Sequence, residues 1–229
     1  MTAALAEALA RVEASIAAAC DRAGRSRREV RLVAVTKRVP EDLVSAAAAA
    51  GVRDFGENYL QELVPKRAAA PDATWHYLGR LQRGKAARIA DLGVWVQTLE
   101  PGAAAERLAA RAEERGARVP SLVQVDFAGH RVGVSPDDLE GFVAWAAARP
   151  GLDLQGLMMV PPLGEPPRPH FRRLRELRDG LSDRFPALRE LSMGMSSDYE
   201  EAVEEGSTMV RVGTAIFGPR PEPHGDRER

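Results

Sequence analysis

Apolar residues Leu5, Leu9, Val12, Ile16 and Cys20 recur at steps of four and three, which predicts an amphipathic helix over residues 3–22. The stretch VRLVAVTK, residues 30–37, breaks that period. It is β-branched and apolar for most of its length and predicts a buried strand. Pro40, Glu41 and Asp42 then open a helix over 41–50, with proline in the first turn and acids at the positive end of the dipole. The alternation continues with strand 52–56 and helix 58–69, strand 74–78 and helix 83–91, then strand 94–98 and helix 102–116. It ends with strand 120–127 and helix 136–149, strand 152–159 and helix 168–184, strand 189–193 and helix 198–205, and strand 208–212 followed by GTAIFG. Eight such units in a little under the usual ~250 residues predict an α/β fold, a (β/α)8 TIM-type barrel with an extra N-terminal helix. The doubly wound open sheet is the main competitor. Residues 1–218 are expected to form one domain, and the polar, Pro-rich stretch 219–229 a frayed tail.

Barrels of this kind carry their chemistry at the carboxyl ends of the strands. Lys37, the Gly56-Glu57-Asn58 run, His76, Met158 and the last two loops collect there. Side chains alternate along a strand, so Val33, Val35 and Lys37 share one face while Leu32, Ala34 and Thr36 share the other. An amine held on an apolar face loses its proton more readily and becomes a nucleophile able to form an imine. The chain has three lysines, Lys37, Lys66 and Lys85, among 32 basic residues. Keeping Lys where Arg is the default hints at a deprotonatable amine at 37. The alternative is a strand-end lysine that snorkels to solvent.

Two loops look like an anion cradle. One is Met193-Gly194-Met195-Ser196-Ser197-Asp198, ahead of a helix whose Ser197-x-x-Glu200 spacing matches a capping box. The other is Arg211-Val212-Gly213-Thr214, where glycine permits close backbone approach and threonine offers a hydroxyl at a helix start. Barrels bind phosphate after strands seven and eight, though each loop also reads as ordinary turn and cap residues. Arg211 shares a face with Gly213 and should point to the mouth or lumen, facing a ligand or pairing with an acid such as Glu57. Asn58 and His76 end their strands and are candidate hydrogen-bond partners of a ligand, or else satisfy backbone groups. Met158 and Met159 read as packing. An imine-capable lysine beside a phosphate cradle fits an aldehyde that carries a phosphate, and pyridoxal 5′-phosphate (PLP) is such a ligand.

Composition narrows the field further. A formal net charge of −1 argues against a nucleic-acid surface, and 45% hydrophobic residues suffice for a sizeable core. Cys20 is a lone cysteine, and His76, His130, His170 and His224 lack metal-ligand spacing, so no metal is expected. Charges inside the N-terminal apolar pattern argue against a signal peptide or membrane span. A monomer in the cytoplasm is the expectation.

The ordered set AVTK (34–37), FGENYLQE (55–62), WHYLGRLQ (75–82), GLMMVPP (156–162), LSMGMSSD (191–198) and EGSTMVRVGTAIFG (205–218) resembles the pyridoxal-phosphate homeostasis protein family. That family's fold looks like the N-terminal barrel of alanine racemase, and the resemblance runs from about residue 5 to Phe217. It implies that Lys37 is the Schiff-base lysine, that Ser196, Gly213 and Thr214 hold the phosphate, that Arg211 faces the pyridine nitrogen, and that Asn58 lines the pocket beside the ring. It also implies PLP buffering or delivery, with PLP-dependent apoenzymes as partners, and no robust catalysis. Departures from the family pattern are Gly84, Arg131 and Arg38, where relatives carry Asn, Lys and, in some bacterial members, Lys. They bear on any secondary cofactor-loading lysine. A racemase needs a second acid–base, which alanine racemases take from another chain's C-terminal domain, and this sequence ends soon after the barrel. The enzyme alternative is a low-activity amino-acid racemase or lyase using Tyr59, Tyr77 or His76. A further alternative is a cofactor-free phosphosugar-binding barrel.

Overall fold

The computed structural model describes residues 2–129 and 132–219. A long helix α1 (Thr2–Arg22) leads into β1 (Arg31–Val35), and the chain then alternates. The units are α2 (Glu41–Ala49), β2 (Asp54–Glu57), α3 (Leu60–Ala69), β3 (Thr74–Tyr77), α4 (Arg83–Leu92), β4 (Trp95–Leu99) and α5 (Ala103–Glu114). They continue with β5 (Val119–Gln124), α6 (Leu139–Ala147), β6 (Leu152–Met158), α7 (Pro167–Leu181), β7 (Glu190–Ser192), α8 (Tyr199–Glu204), β8 (Met209–Val212) and the short α9 (Thr214–Phe217). The strands pair in parallel in sequence order and close between β8 and β1, where Val33 lies opposite Arg211. The (β/α)8 barrel is therefore formed, and the open sheet is not.

Strand alternation divides the interior in two. Leu32 and Ala34 belong to the main apolar layer between strands and helices, whereas Val33 packs in the lumen with Leu122, Met158 and Met209. Those are the two faces that the pattern of residues 30–37 predicts. The buried stripe of α1, including Leu5, Leu9, Val12, Ile16 and Cys20, packs on the barrel's side against α8, α9 and α2. Arg22 ties it to α8 through Glu204 (2.6 Å) and Glu200 (2.9 Å). Among the described residues no helix is long and apolar enough to cross a membrane.

Several boundaries differ from expectation for local reasons. The first strand stops at Val35, not Lys37, because the chain turns: Val39 N–H donates to the Thr36 carbonyl (2.8 Å) and Arg38 takes a left-handed φ of 60°. The fifth strand stops at Gln124, and Val125 makes a single bridge to Val134. Helix α6 starts late, since Ser135 accepts the Asp138 N–H in a local turn. The capping box expected at Ser197 and Glu200 does not form. Asp198 occupies the N-cap of α8, and its carboxylate accepts the Met195 N–H (2.6 Å) instead. A capping box is present elsewhere, at Ser26 and Glu29 around the 3-10 turn Arg27–Glu29. His130, Arg131, His224 and most of the expected 219–229 tail lie outside the described residues.

Candidate functional site

A cleft of about 360 Å³ opens at the carboxyl ends of the strands, a size in the range of small-molecule sites. Lys37, Asn58, Ser196, Arg211, Gly213 and Thr214 all line it, joined by Val35, Leu78, Met158, Val160, Met195 and Ser197. His76 is not among the lining residues.

Lys37 sits half-buried in the turn after β1, its Nζ 5.4 Å from the centroid of the Tyr59 ring. It makes no ion pair among the described residues. The turn itself is clamped from α3. Lys66 is buried, and its Nζ donates to the Thr36 carbonyl (2.6 Å), Glu57 Oε1 (2.6 Å) and Glu62 Oε2 (2.7 Å). Glu62 also accepts the Arg38 N–H (2.8 Å), and Glu57 accepts the Thr36 hydroxyl (2.9 Å). Both neighbours of Lys37 are thus held by one buried ion triad. Burial pushes the Glu57 carboxyl up, only partly offset by Lys66. At Glu62 partial burial pushes upward too, but the bonds from Lys66 and the Arg38 N–H prevail and hold it below the usual carboxylate range. The alternative of a Glu57–Arg211 ion pair is not what forms: Glu57 is taken by Lys66. A lysine at 66 suits a point donor with three bonds, so its retention in an Arg-rich chain is structural.

Arg211 reaches the cleft from the lumen and is 5% exposed. One terminal nitrogen donates to Ser192 Oγ (2.7 Å) and the other to the Met159 carbonyl (2.8 Å). No carboxylate lies within ion-pair distance among the described residues. Burial pulls its pKa down to about 10, against a weaker pull upward from Asp198, so it stays charged at neutral pH. Behind it the hydrogen bonds continue through the lumen. Ser192 Oγ donates to Gln97 Oε1 (2.6 Å), Gln97 Nε2 lies 3.0 Å from His76 Nδ1, and His76 Nε2 lies 3.0 Å from Asp54 Oδ1. His76 therefore occupies the barrel interior below the cleft, where burial lowers its pKa against the opposing effect of Asp54.

Also lining the cleft, Ser196 accepts at its Oγ the N–H groups of Gly213 (3.2 Å) and Ala215 (3.4 Å) at the start of α9. Gly194 makes the preceding loop possible: its φ is 93°, and a Cβ there would stand 2.5 Å from the Ala202 Cβ and 2.9 Å from the Tyr199 Cα. Thr214 is exposed at the first position of α9, its hydroxyl on the cleft wall. With its lone pairs occupied by two N–H groups, the Ser196 hydroxyl is left to donate, and together with the Thr214 hydroxyl it suits a phosphate. The amine of Lys37 and the guanidinium of Arg211 suit an aldehyde and an aromatic nitrogen acceptor, so the donor set fits PLP.

Sequence reasoning missed Ser192, Gln97 and the Lys66 triad. Ser192 and Gln97 do carry a signal, as polar residues at lumen-facing strand positions, where an unpaired group would be costly. No spacing rule identifies Lys66 as the partner of a turn thirty residues earlier.

The family model described as "Alanine racemase, N-terminal domain" matches residues 8–221. A pyridoxal phosphate homeostasis protein of Pseudomonas aeruginosa is 43% identical over 226 residues, covering 94% of this chain and 96% of that protein. One from Aquifex aeolicus is 38% identical over 222 residues, covering 93% and 97%. Among solved structures, PipY of Synechococcus elongatus PCC7942, determined with PLP bound, superposes with a TM-score of 0.83 at 36% identity, covering 93% of this chain and 100% of that one. A chain matched along nearly its whole length by these proteins, and built as the same barrel, belongs to the pyridoxal phosphate homeostasis protein family, within the alanine racemase N-terminal-domain fold.

Proposed function

We propose that this protein binds pyridoxal 5′-phosphate through Lys37 and serves in intracellular PLP homeostasis by buffering or delivering the cofactor. The observation that carries the reading is one cleft that brings together the Lys37 amine, the Arg211 guanidinium, which has no carboxylate partner among the described residues, and the hydroxyls of Ser196 and Thr214 beside Gly213. Lys37 would hold the cofactor through its aldehyde carbon. The hydroxyls of Ser196 and Thr214 would bind the phosphate beside Gly213, with Ser196 oriented by the N–H groups of Gly213 and Ala215 that its Oγ accepts; Asn58 would flank the ring, and Arg211 would meet the ring nitrogen. His76, from its place in the lumen, acts only through other residues.

The bound cofactor supplies an electrophilic imine and a ring able to withdraw electrons. A charged Arg211 at the ring nitrogen opposes protonation there and weakens that withdrawal, which favours a carrier over a catalyst. Of the three side chains a racemase or lyase would use as a second base, Tyr77 is buried with its hydroxyl donating to the Arg80 carbonyl (3.2 Å), and His76 is in the lumen. Tyr59 alone of these lies beside Lys37. PLP-dependent apoenzymes are the partners this role requires. A monomer acting in the cytoplasm, with the barrel of residues 1–218 as its one domain, completes the reading.

The test is direct. Protein incubated with PLP should turn yellow, borohydride should fix the adduct, and peptide mapping should find it on Lys37. The Lys37→Ala variant should stay folded and lose both signals, and a principal adduct on Lys66 or Lys85 would sink the assignment. A protein that stays colourless with PLP but binds a phosphosugar would establish the cofactor-free alternative.

A further inference from the structure

The lumen carries a chain of five polar groups that touches the cleft at one end only. Its members are Arg211, Ser192, Gln97, His76 and Asp54, contributed by β8, β7, β4, β3 and β2. Ser192, Gln97 and His76 are fully buried, so none of them can turn to water for a substitute partner. Asp54 Oδ1 accepts, so His76 carries a proton on Nε2, and with burial favouring the neutral ring its Nδ1 is left bare. Nδ1 in turn requires the NH2 of Gln97, which leaves the amide oxygen to face Ser192. That oxygen takes the Ser192 proton at 2.6 Å, and the serine's lone pairs are left for the guanidinium at 2.7 Å. Every bond donates in the same direction, from the cleft toward Asp54.

We infer that Gln97 and Ser192 are positioning residues, which, oriented by His76 and Asp54, hold Arg211 as a fixed donor facing the cleft and so set the environment of the ligand's ring nitrogen. This rests on the PLP reading of the cleft. The chain also gives Arg211 a remote counterweight. Its charge has no carboxylate within contact distance among the described residues, and a line of aligned dipoles ending on Asp54 stabilises it where an adjacent acid would compete with the ligand. The charged groups around the far end are Asp54 itself, Arg31 and Glu190, the latter two paired at 2.5 Å, so the chain terminates in a compensated cluster.

The experiment uses the full chain loaded with PLP labelled with ¹⁵N at the ring nitrogen, read by NMR, together with the rate of PLP release. Ser192→Ala and Gln97→Leu should each move the ring-nitrogen resonance and speed release by roughly three- to ten-fold, the loss expected for one hydrogen bond. Ser192→Thr keeps the hydroxyl and should return both readouts to wild type. Leu122→Val, a lumen change off the chain, should move neither. A ring nitrogen unmoved in folded Ser192→Ala and Gln97→Leu, or moved as far by Leu122→Val, overturns the inference. A second measurement needs no variant: the imidazole of His76 in unliganded wild-type protein should be the neutral Nε2–H form near neutral pH. The Nδ1–H form, or an imidazolium, would equally overturn the chain. Failure of wild-type protein to take up PLP would instead defeat the functional reading, a distinct outcome.

Discussion

The Nζ of Lys66 lies 2.6 Å from the carbonyl oxygen of Thr36, the residue that precedes Lys37. The same ammonium holds Glu62, which grips the Arg38 N–H on the other side. Removing it by Lys66→Met leaves two carboxylates near each other with no cation, one of them fully buried. Breaking such a group should cost about 3–5 kcal/mol of stability. Lys66→Arg should not rescue it, because a planar fork cannot replace three bonds made from one point. Urea unfolding checks the first statement. Stopped-flow absorbance after mixing with PLP checks the companion expectation, that imine formation at Lys37 slows in whatever fraction still folds.

The cradle makes a separable demand. Ser196→Ala and Thr214→Val each delete a hydroxyl from the phosphate end, and a lost hydrogen bond to a charged group costs roughly 1.5–3 kcal/mol, about ten-fold or more in affinity. Pyridoxal without its phosphate should be nearly indifferent to both. Equal losses for the two ligands, measured by equilibrium titration, would show that these hydroxyls do not meet the phosphate.

Arg211→Glu tests carrier against catalyst. A carboxylate at that place favours a protonated ring nitrogen and so a carbanion at a substrate α-carbon. Wild-type protein mixed with alanine or serine in heavy water is expected to show negligible α-deuteration. The variant, where it retains cofactor, should exchange faster yet racemise poorly, since of Tyr59, Tyr77 and His76 only Tyr59 lies beside Lys37. Rapid and stereochemically complete exchange by the wild type would move the racemase reading to first place.

Acid should weaken the α7–α8 contact. Glu205 is almost buried and meets Arg172 at 2.9 Å, with Arg168 and Arg175 each at 3.4 Å. The bond from Arg172 outweighs burial and holds its carboxyl below the ordinary value of 4.5. A folded-state value depressed in this way contributes stability that is fully present above the unfolded value and is lost as pH falls through the folded one. The gap in urea midpoint between wild type and Glu205→Gln should therefore be widest near neutrality and shrink below 4.5. A gap independent of pH would mean that the glutamate acts through packing alone.

The order of strands and helices was legible because each carries its own period, and so were the two faces of the first strand. Six of the seven expected site residues share one cleft: five follow strand ends or open a helix on one rim of the barrel, and Arg211, one residue before the end of β8, reaches it from the lumen. His76 shows where that reasoning stops. It lies within β3, one residue before the strand's end, and alternation sends it into the lumen, where Asp54 and Gln97 compete for it better than a ligand can. Long-range pairing is the harder problem. Glu57 had two cations it might have met, and only packing of α3 against the turn after β1 selects Lys66. The Ser197 capping box failed because Asp198, one residue closer to the helix, takes the N-cap place, which shifts Ser197 out of the capping position.

The N-terminal helix has a consequence for the kinetics of the cleft. Helix α1 packs on α8 and α9, the two short helices that begin at the anion-holding loops, and Arg22 and Arg25 fasten it to α8 through Glu200, Glu204 and the Val203 carbonyl. Helices of six and four residues have little stability of their own. Their shape is expected to depend in part on α1, beside the support that α7 and β8 give α8, so a transient detachment of α1 should loosen the Gly213 and Ala215 amides from their fixed directions. Amide exchange at these two positions should then follow that of α1 rather than that of the neighbouring strands. On the proposed reading of the cradle, departure of a bound anion is then expected to follow a local unfolding timed by α1, none of whose residues lines the cleft.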